Sequence, residues 1–166
     1  PPSGDMHDYV SRGPYWWPDP SKPNGLPYIR KDGERNPEWY DFTDHTYLSK
    51  ISNYVYRLGL AYYFTGEEKY AEKAVNFVKV WFMNPETKMN PNLNYAQQIP
   101  GVCDGRGIGL IDTPCMIDML EGLLLMDNAK AWTEEDKAAL KTWFKTFLDW
   151  MRNSENGKDE EKQHNN

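Results

Sequence analysis

The segment that decides the fold is residues 45–83, which read HTYLSKISNYVYRLGLAYYFTGEEKYAEKAVNFVKVWFM. Apolar side chains recur in it at the spacing of one helix face, first at Tyr47, Ile51, Tyr54, Val55, Leu58 and Tyr62, then at Tyr70, Ala74, Phe77, Val78, Trp81 and Phe82. Gly66 separates the two stripes and is typical of a helix C-terminus. Asn84-Pro85 ends the second stripe. The segment therefore predicts an antiparallel helical hairpin.

Two more helices are predicted downstream. Residues 113–127 carry an apolar stripe at Met116, Met119, Leu120, Leu123 and Leu124. Thr133 precedes a run of acidic residues, which is typical of a helix N-cap and first turn. The helix that follows has its apolar face at Leu140, Trp143, Phe144, Phe147, Leu148 and Met151. No alternating strand pattern occurs, so we expect an all-α fold with helical hairpins over residues 45–152.

Residues 1–44 have a different character. Six prolines exclude a long helix: Pro14, Pro18, Pro20, Pro23, Pro27 and Pro37. Aromatic residues are too frequent for a disordered linker, so we expect a long, ordered, irregular N-terminal arm. The run Tyr15-Trp16-Trp17 between prolines offers rigid rings, which suit the apolar faces of sugars. The alternative is that Trp16 and Trp17 only anchor the arm to the helices.

Residues 84–111 form a second irregular segment, and loops of that length in a compact domain tend to be functional. Its amides at Asn94, Gln97 and Gln98 suit a polyhydroxylated ligand, and Arg106 suits a carboxylate. The alternative is an ion pair between Asp104 and Arg106 that only holds the loop. Residues 105–109 are not a phosphate-binding loop, because no Lys-Ser/Thr follows them.

Composition limits the partners. The 166 residues suit one domain, and the net charge of −6 argues against nucleic acid. No apolar run is long enough to insert into a membrane. Cys103 and Cys115 are expected to be buried thiols, with a disulfide as the alternative. His7 has acidic neighbours but no second cluster of ligands, so we expect a structural histidine and no metal site.

The hairpin also allows a helical-repeat interpretation. Leu58-Gly59, Tyr62 and Ala71 match the spacing of a tetratricopeptide unit. One repeat length after Gly59, however, lies Leu93 in the Pro/Gly-rich segment, so the period fails at once. A non-catalytic interaction or carbohydrate-binding domain stays the alternative to an enzyme.

Several blocks of the chain resemble the alginate lyase superfamily of polysaccharide lyases, and in particular its Bacteroidetes-type members with a Tyr-Trp-Trp-Pro arm. These blocks are GDMHDY at residues 4–9 with GPYWWPDP at 13–20, GLPYIRKDG at 25–33, NPNLNYAQ at 90–97 and GRGIG at 105–109. Asn165-Asn166 resembles the start of an Asn-Asn-His-Gly motif. The similarity extends over nearly the whole length, and the arm is its most specific part.

The resemblance implies an incomplete (α/α) toroid and β-elimination on a uronate polymer such as alginate, without a cofactor. In that reaction the C5 proton is removed next to a carboxylate whose charge must be neutralised, and the leaving oxygen must be protonated. The expected contacts with an acidic polysaccharide are Tyr9, Tyr15, Trp16, Trp17, Asn94, Gln97, Gln98, Arg106 and His164. Asn166 is expected to be catalytic, as a neutraliser of the carboxylate.

The family motif continues beyond Asn166 with a His, and its catalytic Arg and Tyr lie farther along. We therefore expect residues 1–166 to be the N-terminal part of a single toroid domain, with the polar residues 153–166 as the start of the catalytic motif region. By composition alone, residues 160–166 are a solvated tail. Through the family alone we expect a periplasmic or secreted protein whose signal peptide precedes Pro1. The sequence does not predict the oligomeric state or the preferred uronate.

Overall fold

The structure, a computed structural model, describes residues 1–163 and is mostly helical, as predicted. Its helices are α1 (Asp44–Thr65), α2 (Glu68–Phe82), α3 (Cys115–Leu125), α4 (Glu134–Asn153) and α5 (Glu155–Gln163). Four short strands accompany them: β1 (Val10–Arg12), β2 (Trp16–Trp17), β3 (Ile29–Arg30) and β4 (Tyr95–Gln98). Pro37–Asp41 and Gly107–Asp112 are 3₁₀ segments. Within residues 1–163, no helix has the length and apolarity needed to cross a bilayer.

The chain divides into two compact units. The first contains Pro1–His45, Asn92–Asp112 and the chain from Trp150 onward, and we call it the strand unit. The second contains Thr46–Pro91 and Thr113–Asp149, and we call it the helical unit.

The predicted ends of the helices in the helical unit are confirmed. Gly66 has φ +67, a left-handed conformation that glycine adopts without strain, and its N–H donates to the Tyr62 carbonyl at 2.7 Å. Thr133 caps α4, since its hydroxyl accepts the backbone N–H of Asp136 at 3.2 Å. Both signals are local, which is why they could be found in the sequence.

The buried face of α1 differs from the predicted one. Its buried residues are Leu48, Ser52, Val55 and Gly59, whereas Tyr47 and Tyr54 are 50% and 46% exposed. The reason is a close approach to α3: a Cβ on Gly59 would overlap the carbonyl oxygen of Gly122 and lie 2.8 Å from its Cα. Two helices that meet at this distance need small residues at the contact, so the tyrosines are displaced to the adjacent face.

We expect Gly59→Ala to lower the free energy of unfolding by about 1–3 kcal/mol, the usual cost of overpacking a tight contact. Elsewhere in a helix the same change stabilises by about 1 kcal/mol, so the sign of the effect is the test. Urea denaturation measures it, with Ser49→Ala on the exposed side of α1 as the control. Stabilisation by Gly59→Ala would contradict the close contact.

The mostly helical content agrees with the predicted all-α class, but the strand unit also contains four short strands that the sequence did not predict. β1 pairs in parallel with β4, and β2 pairs antiparallel with β3. These strands have two to four residues, which is too short for an alternating pattern to stand out in the sequence. The N-terminal 44 residues therefore contain β1–β3 and a 3₁₀ segment, with only the connections between them irregular.

The expectation of a solvated tail from residue 160 is wrong for Glu160, whereas residues 161–163 are exposed. Residues 155–163 form α5, in which Glu160 is only 4% exposed. Ser154 starts the helix by accepting the N–H of Gly157 at 3.0 Å. A Cβ on Gly107 would lie 2.6 Å from the Asn156 carbonyl oxygen, so α5 packs on the 3₁₀ segment that Gly107 begins. Composition suggested solvent because the contact is made by glycine and backbone rather than by apolar side chains.

Candidate functional site

Trp16 and Arg106 lie together in the strand unit. The guanidinium carbon of Arg106 is 5.9 Å from the centroid of the Trp16 ring, within cation–π range. Gly13 leaves room for this contact, since a Cβ there would lie 2.8 Å from Trp16 Cδ1 and 2.9 Å from Arg106 Nη2. Both side chains are half-buried, so each keeps an accessible part. A ring and a cation therefore share one surface.

Arg106 is held by Gln97. Its Nε donates to the Gln97 backbone carbonyl at 3.0 Å, and its Nη2 donates to Gln97 Oε1 at 3.4 Å. Burial lowers the pKa of Arg106, with a smaller contribution in the same direction from the charge of Arg30. The guanidinium nevertheless stays protonated, because arginine does not deprotonate in proteins. Arg106 is thus a fixed cation with part of its donor set still open.

Gln97 is itself strained and buried. It has φ +55, a left-handed conformation that costs a non-glycine residue about 1 kcal/mol or more. Its backbone N–H donates to the Ser11 hydroxyl at 2.8 Å, and its Nε2 donates to Asp112 Oδ1 at 3.1 Å. Strain of this kind persists only where several contacts impose it, and here they set the position of Arg106.

Asp112 is the acceptor that completes this arrangement. Tyr9 Oη donates to its Oδ2 at 3.2 Å, and Ser11 Oγ donates to the same oxygen. Tyr9 is 2% exposed and Gln97 is 6% exposed. Although both were predicted to contact substrate, the structure places them beneath the surface, where they position the groups above them.

A second arginine, Arg12, was missed by the sequence analysis. Its Nη1 forms an ion pair with Glu38 at 2.9 Å, and its Nη2 donates to Gln98 Oε1 at 3.5 Å. Tyr28 donates to the same Glu38 oxygen at 2.7 Å, and burial followed by that carboxylate raises the pKa of the Tyr28 phenol. Gln98 is half-buried and lies beside the charged cluster that Arg12, Glu38 and Tyr28 form. No local motif surrounds Arg12, and only the parallel pairing of β1 with β4 places it beside Gln98.

The remaining predicted residues are placed separately. Trp17 donates through Nε1 to the Glu34 carbonyl at 2.8 Å, and the Lys31 ammonium lies 4.8 Å from its ring centroid. Tyr15 is 37% exposed. Asn94 is exposed and accepts Trp150 Nε1 at 2.8 Å. His164 and Asn166 lie outside the described residues.

The structure also bears on the alternatives that the sequence left open for Arg106, His7 and the two cysteines. Among the ion pairs of residues 1–163, Asp104–Arg106 does not occur, since Arg106 bonds to Gln97. Asp5 Oδ1 accepts the backbone N–H of His7 at 2.9 Å, and the described part of the chain contains no cluster of three ligands suited to a metal. Cys103 and Cys115 are half-buried thiols, not a disulfide.

We expect Asp112→Ala to destabilise the protein by roughly 3 kcal/mol, because several buried donors would lose their acceptor at once. The donors are the hydroxyls of Tyr9 and Ser11 and the amide of Gln97. The matched control is Asp32→Ala, which removes an exposed carboxylate paired with Arg30 and should cost less than about 0.5 kcal/mol. Equal costs in urea denaturation would show that the buried network does not stabilise the strand unit.

The pKa of His45 gives a prediction for pH. Burial lowers this pKa, and the nearby charge of Asp112 opposes the shift without reversing it. The folded state therefore binds fewer protons than the unfolded state near and below the ordinary histidine pKa, so this contribution to stability falls as His45 is forced to charge. We expect the loss of stability between about pH 7.5 and pH 5.5 to be smaller in His45→Gln than in the wild type. An unchanged or larger loss, measured by thermal unfolding at both pH values, would contradict the lowered pKa.

Comparison with known proteins gives this geometry a context. A family model described as "Alginate lyase" matches residues 1–166. The chain belongs to the alginate lyase family. A solved structure of an alginate lyase from Bacteroides ovatus is similar over 95% of the chain, with 54% sequence identity and a TM-score of 0.89. The chain spans 42% of that protein's length. No curated protein matches the chain.

Proposed function

We propose that the chain is part of a polysaccharide lyase that cleaves a uronate-containing polymer, with alginate as the substrate class, by β-elimination. The observation that carries the proposal is the Arg106 guanidinium over the Trp16 ring, in a chain of the alginate lyase family. A uronate has an apolar ring face and a carboxylate, and these are the two features that an indole and a guanidinium bind.

The hydrogen bonds of Arg106 support a binding role. Gln97 takes Nε and one bond of Nη2, which fixes the plane of the guanidinium before any ligand arrives. An arginine ordered in this way loses less conformational entropy on binding than a free one. The neutral amides of Gln98 and Asn94, which are half-buried and exposed respectively, would supply hydrogen bonds to sugar hydroxyls.

The chemical step needs a neutralised carboxylate, a base for the C5 proton and an acid for the leaving oxygen. We assign the neutralising role to Asn166, together with a His beyond it, and the base and acid roles to a Tyr farther along the polypeptide. This assignment rests on the family motif. It makes residues 1–166 the N-terminal portion of an (α/α) toroid that is completed by later helices. We further propose that the protein is exported to the periplasm or secreted.

Binding is tested by titration with mannuronate and guluronate oligomers. The titrated protein is the intact protein, by which we mean the whole polypeptide to which residues 1–166 are proposed to belong. We expect Arg106→Gln to weaken binding about tenfold or more, because a charge-assisted hydrogen bond is lost, and Trp16→Ala to weaken it about fivefold. Arg35→Gln is the control, since it removes another arginine that lies over a tryptophan, 4.4 Å from the Trp39 ring centroid. Unchanged affinity in both Arg106→Gln and Trp16→Ala would limit these residues to a structural role.

Activity is tested by comparing residues 1–166 with the intact protein. We expect the piece to fold, as judged by circular dichroism, but to release no unsaturated uronate from alginate, while the intact protein does so. Lyase activity of the piece at the rate of the intact protein would contradict the assignment of the base to a later residue. Oligomer binding without activity in the intact protein would favour the non-catalytic carbohydrate-binding alternative.

A further inference from the structure

The β2–β3 ribbon presents two chemically different faces. Trp16 pairs with Arg30 and Trp17 pairs with Ile29 across the two strands. Directly opposed residues share a face and successive residues alternate, so Trp16 and Arg30 lie on one face. Lys31 lies on the other, where its ammonium is 4.8 Å from the Trp17 ring centroid. The face that carries Arg30 is the one whose Trp16 contacts Arg106.

Arg30 and Arg106 therefore lie on the same side of the ribbon as Trp16. Arg30 is the strand partner of Trp16, and the guanidinium carbon of Arg106 is 5.9 Å from the Trp16 ring centroid. The charge of Arg30 acts on Arg106 in the direction that lowers the Arg106 pKa. Two cations on one face favour a ligand that brings negative charge to both.

Arg30 is available for such a ligand. Its side chain is 62% exposed, and its partner Asp32, at 3.0 Å, is 76% exposed. An ion pair this exposed is worth less than about 1 kcal/mol, so a ligand carboxylate can replace Asp32 at little cost. Arg106, by contrast, is half-buried and fixed by Gln97.

We propose that Arg30 is a second anion-binding residue of this site, which pairs with the carboxylate of the uronate next to the one held by Arg106. This inference rests on the proposed function and adds to it a reason for polymer specificity. A single uronate brings one negative charge to a face with two arginines. A chain of uronates brings one carboxylate for each arginine, so Arg30 makes the site selective for consecutive uronates.

The test is titration of the intact protein with oligouronates. We expect Arg30→Gln to raise the Kd about fivefold, the value of one exposed charge-assisted contact, and to make the Kd less sensitive to salt. Arg30→Lys keeps the charge and should recover most of the affinity. Lys31→Gln is the matched control, because it removes the same charge from the opposite face of the same ribbon and should change the Kd less than about twofold.

Asp32 supplies a test in the opposite direction. Asp32→Asn removes the internal competitor for Arg30, so we expect tighter binding of oligouronates, and less tightening when Arg30→Gln is already present. A merely structural Arg30 predicts no such coupling.

The possible outcomes separate this inference from the proposed function. If Arg106→Gln weakens binding about tenfold or more while Arg30→Gln and Lys31→Gln have equal, small effects, Arg30 does not bind the ligand and the proposed binding role of Arg106 stands. If Arg106→Gln and Trp16→Ala both leave the Kd unchanged, the proposed uronate site fails and the inference fails with it. Loss of affinity in both arginine variants, with Lys31→Gln unchanged, supports both.

Discussion

The side-chain amide of Gln97 connects the half-buried carboxylate of Asp112 to the guanidinium of Arg106, and the strand unit depends on this connection. Its nitrogen donates to Asp112, while its oxygen accepts from Arg106. Because the two ends of an amide are chemically distinct, these partners allow only one orientation of the side chain. The left-handed backbone of Gln97 is maintained by the same contacts. The order of Arg106 is thus a consequence of interactions beneath it.

The helical unit depends on a close helix contact, which is possible because glycine has no side chain. Gly59 and Gly122 bring α1 and α3 into backbone contact. In the strand unit, Gly157 lets α5 lie against the backbone of Met151, and Gly107 lets its 3₁₀ segment lie against Asn156 of α5. Phe82, Trp143 and Phe147 form an aromatic core, in which Trp143 Nε1 donates to the Met89 carbonyl at 2.8 Å. Glycine therefore allows α1 and α3 to approach closely, while aromatic rings fill the contact between α2 and α4.

The residues that form the candidate site could be singled out from the sequence more readily than their arrangement. Arg106 between glycines and Trp16 between prolines were both singled out, because a guanidinium and an indole have recognisable ligand chemistry wherever they are placed. Tyr9 and Gln97 were assigned to the same surface, although the structure buries them. The difference arises because burial depends on residues far away in the chain: Tyr9 and Gln97 both bond to Asp112. Arg12 and Arg30 were not assigned at all, since only the strand pairing places Arg12 beside Gln98 and Arg30 opposite Trp16.

The sequence by itself determined the two helices of the hairpin, the end of the first at Gly66, and the start of α4 at Thr133. These properties depend on neighbours within a few residues, where periodicity and capping act. Only the tertiary structure decided which face of α1 is buried, that the polar residues 155–163 form a packed helix, and that Trp16, Arg30 and Arg106 share one surface. These features depend on contacts between residues distant in the chain, and no local pattern encodes such contacts.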